Sequence, residues 1–366
     1  MKIEIARETL LKPLLHVTGV IERRQSLPIL SNVLVKLSNQ TLTMTGTDLE
    51  IELVAQCSVK SGEAGEITLP ARKFADICRA LPDNAEILLD VNGEKAKIRS
   101  GRSRFTLSTL PAAEFPALEK IDSPVTFAVP QNQLKRLIER TQFAMAQQDV
   151  RYYLNGMMLE LDKHDIRAVA TDGHRLATSE LSSDTNFGEI RQVIVPRKGV
   201  SELMRLLQDS ETDAEFQLGS NHVRVKIDDV IFSSKLIDGK FPDYRRVIPE
   251  NAGIKMICDR EGLRQAFQRA SVLSNEKYRG MRLQLQKNLL TATVHNPEQE
   301  EAEEEIEVSY EGPEFEIGFN VAYFLDALNA IRNDRVQINL TDANSSCLVH
   351  GVDETDSKYV IMPMRL

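Results

Sequence analysis

Three places in this chain carry residues that could do chemistry. The sharpest is Thr171-Asp172-Gly173-His174-Arg175, where a carboxylate and an imidazole stand two positions apart. Such a pair could serve as general acid and base, or as two metal ligands. Little nearby supports either use. The six histidines are scattered, and neither an H-x-x-x-H pair nor a further clustered ligand accompanies His174. A Thr-Asp-Gly sequence between two strands is ordinarily a turn whose aspartate caps backbone N–H groups. The chain also has no G-x-x-x-x-G-K-[ST] loop, no nucleophile elbow and no zinc signature. Catalysis, a metal and a cofactor are therefore not expected. The residues peculiar to this copy of the turn, His174, Arg175 and Leu176, suit recognition better.

The second place is the acidic run EQEEAEEE at 298–305, and the third is the cationic stretch Arg99-Ser100-Gly101-Arg102-Ser103-Arg104. A dense acidic run is ordinarily a solvated loop or strand edge. One pole near the start of the chain and the opposite pole near its end suggest more, because complementary patches set register and partner choice in end-to-end association.

The elements that hold these residues recur three times. Asp48, Asp172 and Asn296 lie at successive intervals of 124 residues (172 − 48 and 296 − 172). Each is followed by a stretch with one apolar face at helical spacing: Phe74, Ile77, Cys78 and Leu81; Val200, Leu203, Met204 and Leu207; Val321, Phe324, Leu325 and Leu328. Each is preceded by another such stretch, with Leu10, Leu11, Leu14 and Leu15, then Leu134, Leu137 and Ile138, then Leu263, Ala266, Phe267 and Ala270. Alternating strands fill the spaces, for example 33–37, 41–45 and 50–56. Pro, Gly and polar residues mark linkers near 118–124 and 249–253. Units of this size are duplicated domains, each able to bury a core, and not the short units of a solenoid. The expected class is α+β, with three tandem domains at 1–121, 122–249 and 250–366. Each should have two helices and about eight antiparallel strands, packed as helices on sheet.

Composition narrows the setting. With 42% hydrophobic and 27% charged residues the chain reads as a soluble globular protein. It has no apolar run long enough to cross a membrane, and MKIEIARETL lacks the core of a signal peptide. Cys57, Cys78, Cys258 and Cys347 are far apart, as reduced thiols of a cytoplasmic protein would be. The net charge of −9 argues against nucleic acid. Its distribution argues the other way. The helical windows 7–16, 72–80, 131–141, 197–207, 260–270 and 320–332 hold fifteen Lys or Arg against six Asp or Glu, out of 45 and 54 in the whole chain. Glu favours helices as much as Lys does, so propensity does not account for the bias. Repeated basic helices offer phosphates a surface blind to sequence. There is no base-reading motif, and with 5% aromatics and no Trp a base-stacking platform is not expected.

Eight segments together resemble the bacterial sliding-clamp family, the beta subunits of DNA polymerase III. They are TGTDLE at 45–50, PARK at 70–73, QDVRYYLN at 148–155, ATDGHRL at 170–176, VPRK at 195–198, DGKFPDY at 238–244, NPEQEE at 296–301 and YVIMPMRL at 359–366. The resemblance runs the full length of the chain. It implies a non-catalytic processivity factor: a head-to-tail homodimeric ring of clamp domains, helices lining the inside and antiparallel sheets outside, encircling duplex DNA. The ring would tether the replicative polymerase, and the clamp loader and other clamp-binding proteins would share it.

The same resemblance implies roles for residues. Arg24, Arg72, Gln148, Tyr152 and Tyr153 match positions that touch DNA; Arg7, Arg197 and Lys198 join them on charge and placement. A pocket for a partner's short apolar-anchored peptide would involve Arg151, Leu154, Thr171, His174, Arg175 and Leu176 from the second domain. Pro242, Arg246 and Val247 would add to it, with Asn320, Tyr323, Ser346, Val360 and Met362 from the third. Lys73, Arg102, Arg104, Phe105 and Leu107 would face Val272, Leu273, Glu300, Glu303 and Glu304 of a second copy. The third repeat departs from the pattern: where the others have a basic pair, it reads Asn320-Val321-Ala322, so its helix should add less positive charge. Two other classes remain open on the residues alone: an interaction scaffold that never meets DNA, and an enzyme using Asp172 and His174.

Overall fold

The computed structural model describes residues 1–22, 27–116, 121, 124–249 and 253–365. Most of the two expected linkers, and Arg24, lie outside the described residues. The first third of the chain forms β1 (Lys2–Ala6), α1 (Arg7–Thr18), β2 (Asn32–Ser38), β3 (Thr41–Thr47), β4 (Ile51–Ser58), β5 (Ser61–Glu63), β6 (Gly65–Pro70), α2 (Ala71–Ala80), β7 (Glu86–Asn92), β8 (Lys95–Ser100) and β9 (Ser103–Ser108). The middle third forms β10 (Val125–Pro130), α3 (Gln131–Glu139), β11 (Gly156–Asp162), β12 (Asp165–Thr171), β13 (Arg175–Ser182), β14 (Arg191–Pro196), α4 (Arg197–Leu206), β15 (Asp213–Leu218), β16 (His222–Ile227) and β17 (Val230–Lys235). The last third forms β18 (Ile254–Asp259), α5 (Arg260–Ala270), β19 (Gly280–Gln286), β20 (Leu289–His295), β21 (Glu301–Glu307), β22 (Phe315–Asn320), α6 (Val321–Ala330), β23 (Arg335–Leu340), β24 (Cys347–Gly351) and β25 (Ser357–Ile361). One pattern repeats three times: strand, helix, four strands, helix, three strands, with the short β5 as an addition in the first copy.

The helices form on the apolar stripes the sequence shows, with a small rotation. In α2 the buried residues are Ala71, Phe74, Ala75 and Cys78, and in α6 they are Val321, Phe324, Ala327 and Leu328. Ile77, Met204 and Leu325 sit at the margin of the stripe and are half-buried. Burying one such large side chain stabilises the fold by about 1.5–3 kcal/mol, so the stripe and not intrinsic propensity holds these short helices.

Packing divides the described chain into two compact units. One contains residues 1–134 and 201–236, the other 135–200 and 237–366. The first unit holds a five-stranded sheet, β5-β1-β7-β8-β9, and an eight-stranded sheet, β10-β15-β16-β17-β4-β3-β2-β6. The second holds an eight-stranded sheet, β14-β11-β12-β13-β25-β24-β23-β18, and a four-stranded sheet, β21-β20-β19-β22. Every pairing among these strands is antiparallel. Both eight-stranded sheets cross a border between repeats. β17 pairs with β4 in the register Phe232↔Leu53, and β13 pairs with β25 in the register Leu176↔Val360. A threefold repeat in sequence is thus packed as two units, with the middle repeat shared between them.

The first residue of each repeat's first helix reaches the C-terminal end of its second helix. Arg7 Nε donates to the Cys78 carbonyl at 2.9 Å and Nη2 to the Arg79 carbonyl at 3.2 Å. Arg260 Nε donates to the Asn333 carbonyl at 3.0 Å and Nη1 to that of Leu328 at 3.3 Å. Gln131 takes the place in the middle repeat, donating to Thr212 Oγ1 at 2.7 Å and accepting from the Gln208 amide at 3.1 Å. The last carbonyls of a helix lack donors of their own, and a cation there also opposes the helix dipole.

Candidate functional site

The turn at Asp172 is built by its own side chains. Thr171 Oγ1 donates to the Arg175 carbonyl at 2.6 Å and accepts from the Gly173 amide at 3.0 Å. Asp172 Oδ1 accepts from the amides of His174 at 2.9 Å and Arg175 at 3.0 Å. The first repeat has the same set: Thr47 Oγ1 to the Ile51 carbonyl at 2.7 Å, and Asp48 Oδ1 from Glu50 at 2.9 Å and Ile51 at 2.7 Å. In the third repeat Asn296 Oδ1 accepts from the Glu300 amide at 2.8 Å. The expected capping role is present at all three positions. Asp172 is spent on backbone and on Arg175, and no acid–base pairing with the exposed His174 is formed.

The residue after the aspartate is left-handed in two copies, with φ +79° at Leu49 and +87° at Gly173. Glycine carries no steric penalty there. It also makes room: a Cβ at 173 would stand 2.9 Å from Arg151 Nη2. The Arg151 guanidinium lies over this turn, donating to the Asp172 carbonyl at 3.2 Å and forking onto Asp149 at 3.0 and 2.9 Å. The hydrogen bonds from Arg151 hold the Asp149 carboxyl down to about 2.

Arg175 ties several elements together. It bonds Asp172 Oδ2 at 3.2 Å, the Phe143 carbonyl at 2.7 Å and the Asp326 carboxylate on α6. Its guanidinium also lies 4.5 Å from the centre of the Tyr323 ring and 5.5 Å from that of Phe143.

Beside this turn opens an apolar cleft of about 180 Å³, lined by Arg151, Leu154, Thr171, Gly173, Arg175, Leu176, Pro242, Tyr244, Val247, Val360 and Met362. Nine of the fourteen expected pocket residues meet here: Arg151, Leu154, Thr171, Arg175, Leu176, Pro242, Val247, Val360 and Met362. Leu154, Leu176, Tyr244 and Val360 also belong to a buried cluster with Met158, Val169, Ile194, Phe241 and Leu348, so the floor of the cleft is the top of the core. A cleft this size takes about one or two apolar side chains.

The other five are not part of its lining. The His174 carbonyl accepts from the Met362 amide at 2.9 Å. Tyr323 lies under Arg175. Arg246 is exposed and pairs with Asp243 at 2.9 Å. Asn320 caps α6, accepting from the Ala322 amide at 2.9 Å. Ser346 is half-buried just before β24. Sequence reasoning missed Gly173 and Tyr244. The first was readable from the Thr-Asp-Gly turn; the second lies between Pro242 and Arg246, which were expected there.

Residues 1–119 match the family model for the N-terminal domain of the DNA polymerase III beta subunit, 128–243 that for its central domain and 245–365 that for its C-terminal domain. The chain belongs to the DNA polymerase III beta subunit family, the sliding clamps. It is 54% identical to the beta sliding clamp of Pseudomonas aeruginosa, over 100% of both chains. A crystal structure of the DNA polymerase III beta subunit from that organism superposes with a TM-score of 0.98 at 53% identity, covering 100% of both chains. A sliding clamp from the same organism bound to griselimycin superposes at 0.97 with 54% identity, again over 100% of both chains.

Against this family background, the positions expected at DNA fall into two groups. Arg72 is exposed on α2 and donates to the Ile21 carbonyl at 3.1 Å. Gln148 is exposed at a left-handed position, φ +54°. Tyr152 is 57% exposed and meets Tyr153 edge-on at 5.8 Å, while Tyr153 packs half-buried on the cleft's core cluster. The others are Arg7, Arg197 and Lys198. Arg7 is committed to the end of α2 and to Asp83, and Arg197 Nη1 donates to the Met145 carbonyl at 2.9 Å. Both serve the fold, because a part-buried guanidinium must find acceptors. Lys198 is half-buried beside Arg197.

The expected sliding-clamp interface residues lie at two sheet edges and their surroundings. Arg102 and Arg104 are exposed at β9, Phe105 is half-buried, and Lys73 is exposed on α2. Leu107 turns to the core of its own sheet and is buried. Val272 is 77% exposed and Leu273 half-buried after α5. Glu300 and Glu303 are exposed, whereas Glu304 points to the other face of β21 and is forked by Arg269 at 2.8 and 2.5 Å. Leu107 and Glu304 are thus engaged within the chain. Among the described residues no group of side chains could hold a metal ion, and no helix is long and apolar enough to cross a membrane.

Proposed function

We propose that two copies of this chain close head to tail into a ring around duplex DNA and tether the replicative polymerase to it. A clamp of this kind does no chemistry; it makes synthesis processive by holding on. The observation that carries the reading is a pair of unused edges. The last strand of the second repeat, β17, pairs with β4 of the first, and the last strand of the third, β25, pairs with β13 of the second. The corresponding last strand of the first repeat is β9, and the counterpart of β4 and β13 in the third is β21. Among the described residues, both end their sheets without a further strand beside them. By the rule of the repeat, β9 of one copy takes β21 of the next.

Charge supports that pairing. β8 and β9 set Arg99 directly opposite Arg104, a like-charged pair that is unfavourable alone. On β21, Glu301, Glu303, Glu305 and Glu307 lie exposed along one face. Packing distances favour two copies. Helices pack about 9–10 Å apart, so six in a circle span roughly 18 Å between axes and leave no hole once helix thickness is removed. Twelve span roughly 36 Å and leave about 25 Å, enough for a duplex about 20 Å across with a layer of water. Two chains supply twelve.

On this reading the domains divide at 1–121, 122–249 and 250–366, and Arg24, Arg72, Gln148, Tyr152 and Tyr153 meet DNA. The apolar cleft receives a short peptide from the polymerase, the clamp loader or another clamp-binding protein, all in the cytoplasm. The test is topological. The protein, loaded on circular DNA, should remain bound and should be lost when the circle is cut. Equal retention on linear DNA with free ends would refute the ring, and a stable monomer at micromolar concentration in sedimentation would refute the dimer.

A further inference from the structure

The cleft has one wall with no helix or strand in it. Pro242, Tyr244 and Val247 come from the segment around the single 3-10 turn Tyr244–Val247, which has no side-chain cap at its start. Under the turn lies a buried carboxylate that neither the cleft nor the expected DNA and dimer surfaces use. Glu160, in the middle of β11, has a side chain 0% exposed. Its Oε1 accepts from the Tyr244 hydroxyl at 3.0 Å and from Arg245 Nη2 at 2.6 Å, both on the turn, and from Arg167 Nη1. Its Oε2 takes a different partner, Gln192 Nε2 at 2.7 Å. Arg167 is fixed in turn by Glu180, at 2.9 and 2.6 Å.

We infer that Glu160 is a positioning residue for the peptide cleft, holding Tyr244 and with it the wall at 242–247 in the receptive arrangement. The proposal rests on the cleft being the partner-peptide site. The physical case is that one carboxylate oxygen gathers three donors, two of them on the turn. A buried carboxylate in this position is tolerable only while those donors stay in place. The turn and the carboxylate therefore hold each other. Burial pushes the Glu160 carboxyl up, but the hydrogen bonds from Gln192 and Tyr244, with the charges of Arg245 and Arg167, together bring it below its ordinary range, so the anchor stays charged at neutral pH. A wall held in advance spares a peptide the cost of ordering it.

The experiment compares the full-length protein with its Glu160→Gln, Tyr244→Phe and Gln192→Ala variants. The probe is a fluorescent synthetic peptide bearing Leu and Phe anchors, read by anisotropy alongside hydrogen exchange. Glu160→Gln and Tyr244→Phe should each weaken the peptide by about tenfold, and should speed exchange at the amides of Arg246, Val247 and Ile248 without changing β11 or β12. Gln192→Ala, which removes only the partner on the other oxygen, should bind within about twofold of the parent. Unchanged exchange at 246–248 in both Glu160→Gln and Tyr244→Phe would overturn the proposal. So would an equal loss of affinity in Gln192→Ala. If the parent protein bound no such peptide, the cleft reading would fall, and the exchange comparison would still decide whether Glu160 holds the turn.

Discussion

The guanidinium of Arg175 lies 4.5 Å above the ring of Tyr323, while its nitrogens bond Asp172, Asp326 and the Phe143 carbonyl. One side chain from β13 therefore joins the Asp172 turn to α6 beside the apolar cleft. Its side chain is only 14% exposed, so water cannot readily replace these partners.

Removing this joint should cost stability and binding together. Arg175→Ala is expected to lower unfolding free energy by about 2 kcal/mol, the range for a largely buried charged group with several partners. Arg175→Lys should recover only a part, because an ammonium cannot fork onto two carboxylates and stack on a ring at once. Urea unfolding and peptide titration on the same variants check both; a neutral Arg175→Ala would show the joint to be incidental.

Arg7 and Arg72 should separate folding from DNA binding. Arg7→Met strips donors from the Cys78 and Arg79 carbonyls, and a loss of about 1–2 kcal/mol with little change in DNA retention is expected. Arg72→Ala should do the reverse. It should leave melting nearly unchanged and lower the salt dependence of DNA binding by about one phosphate's worth. Melting curves and retention across a salt series distinguish the two; DNA binding weakened by Arg7→Met at full stability would contradict the assignment.

Charge reversal at the free edges should act on self-association. Glu303→Arg turns an attraction across the proposed β9–β21 pairing into a repulsion and should weaken the dimer about tenfold. Combining it with Arg104→Glu should restore part of the loss. Sedimentation of the single and double variants measures this directly, and additive weakening in the double variant would mean that the two edges do not meet.

Asp149 should stay ionised far into acid. Its carboxyl is held at about 2 by Arg151, against about 3.9 for a free aspartate. A depressed folded value means that the contribution is fully present above about pH 4 and is lost only as the pH falls through about 2. The Arg151 fork over Gly173 should therefore be unaffected between pH 5 and 8. A carbon-13 NMR titration of the Asp149 carboxyl tests this; a midpoint near 4 would mean that the fork is open in solution.

Much of the site was legible in the chain because its logic is local. Thr171 and Asp172 bond amides and a carbonyl within four residues, and Asp48 repeats the geometry, so the turn follows from residue order. Asn320 carried a readable signal as well, since Asn before an apolar helical run is a cap, and it does cap α6. The partners of Arg7 are something local order cannot reveal. A basic residue in a helical window shows its charge and not which carbonyls lie within its reach. Glu304 stands in an acidic run whose alternation puts it beside Arg269, while its neighbours Glu303 and Glu305 stay exposed.

Residue order thus carries the threefold repeat, the helical stripes, the turn chemistry and the basic bias of the helices. Each of these arises from periodicity or from bonds spanning a few positions. Tertiary packing alone produces the sharing of the middle repeat between two units, the union of β13 with β25, and the seating of Tyr244 on Glu160. Those features join segments far apart in the chain. They depend on which unpaired edge or buried charge finds a partner once the cores have formed, and no pattern within one segment encodes that choice.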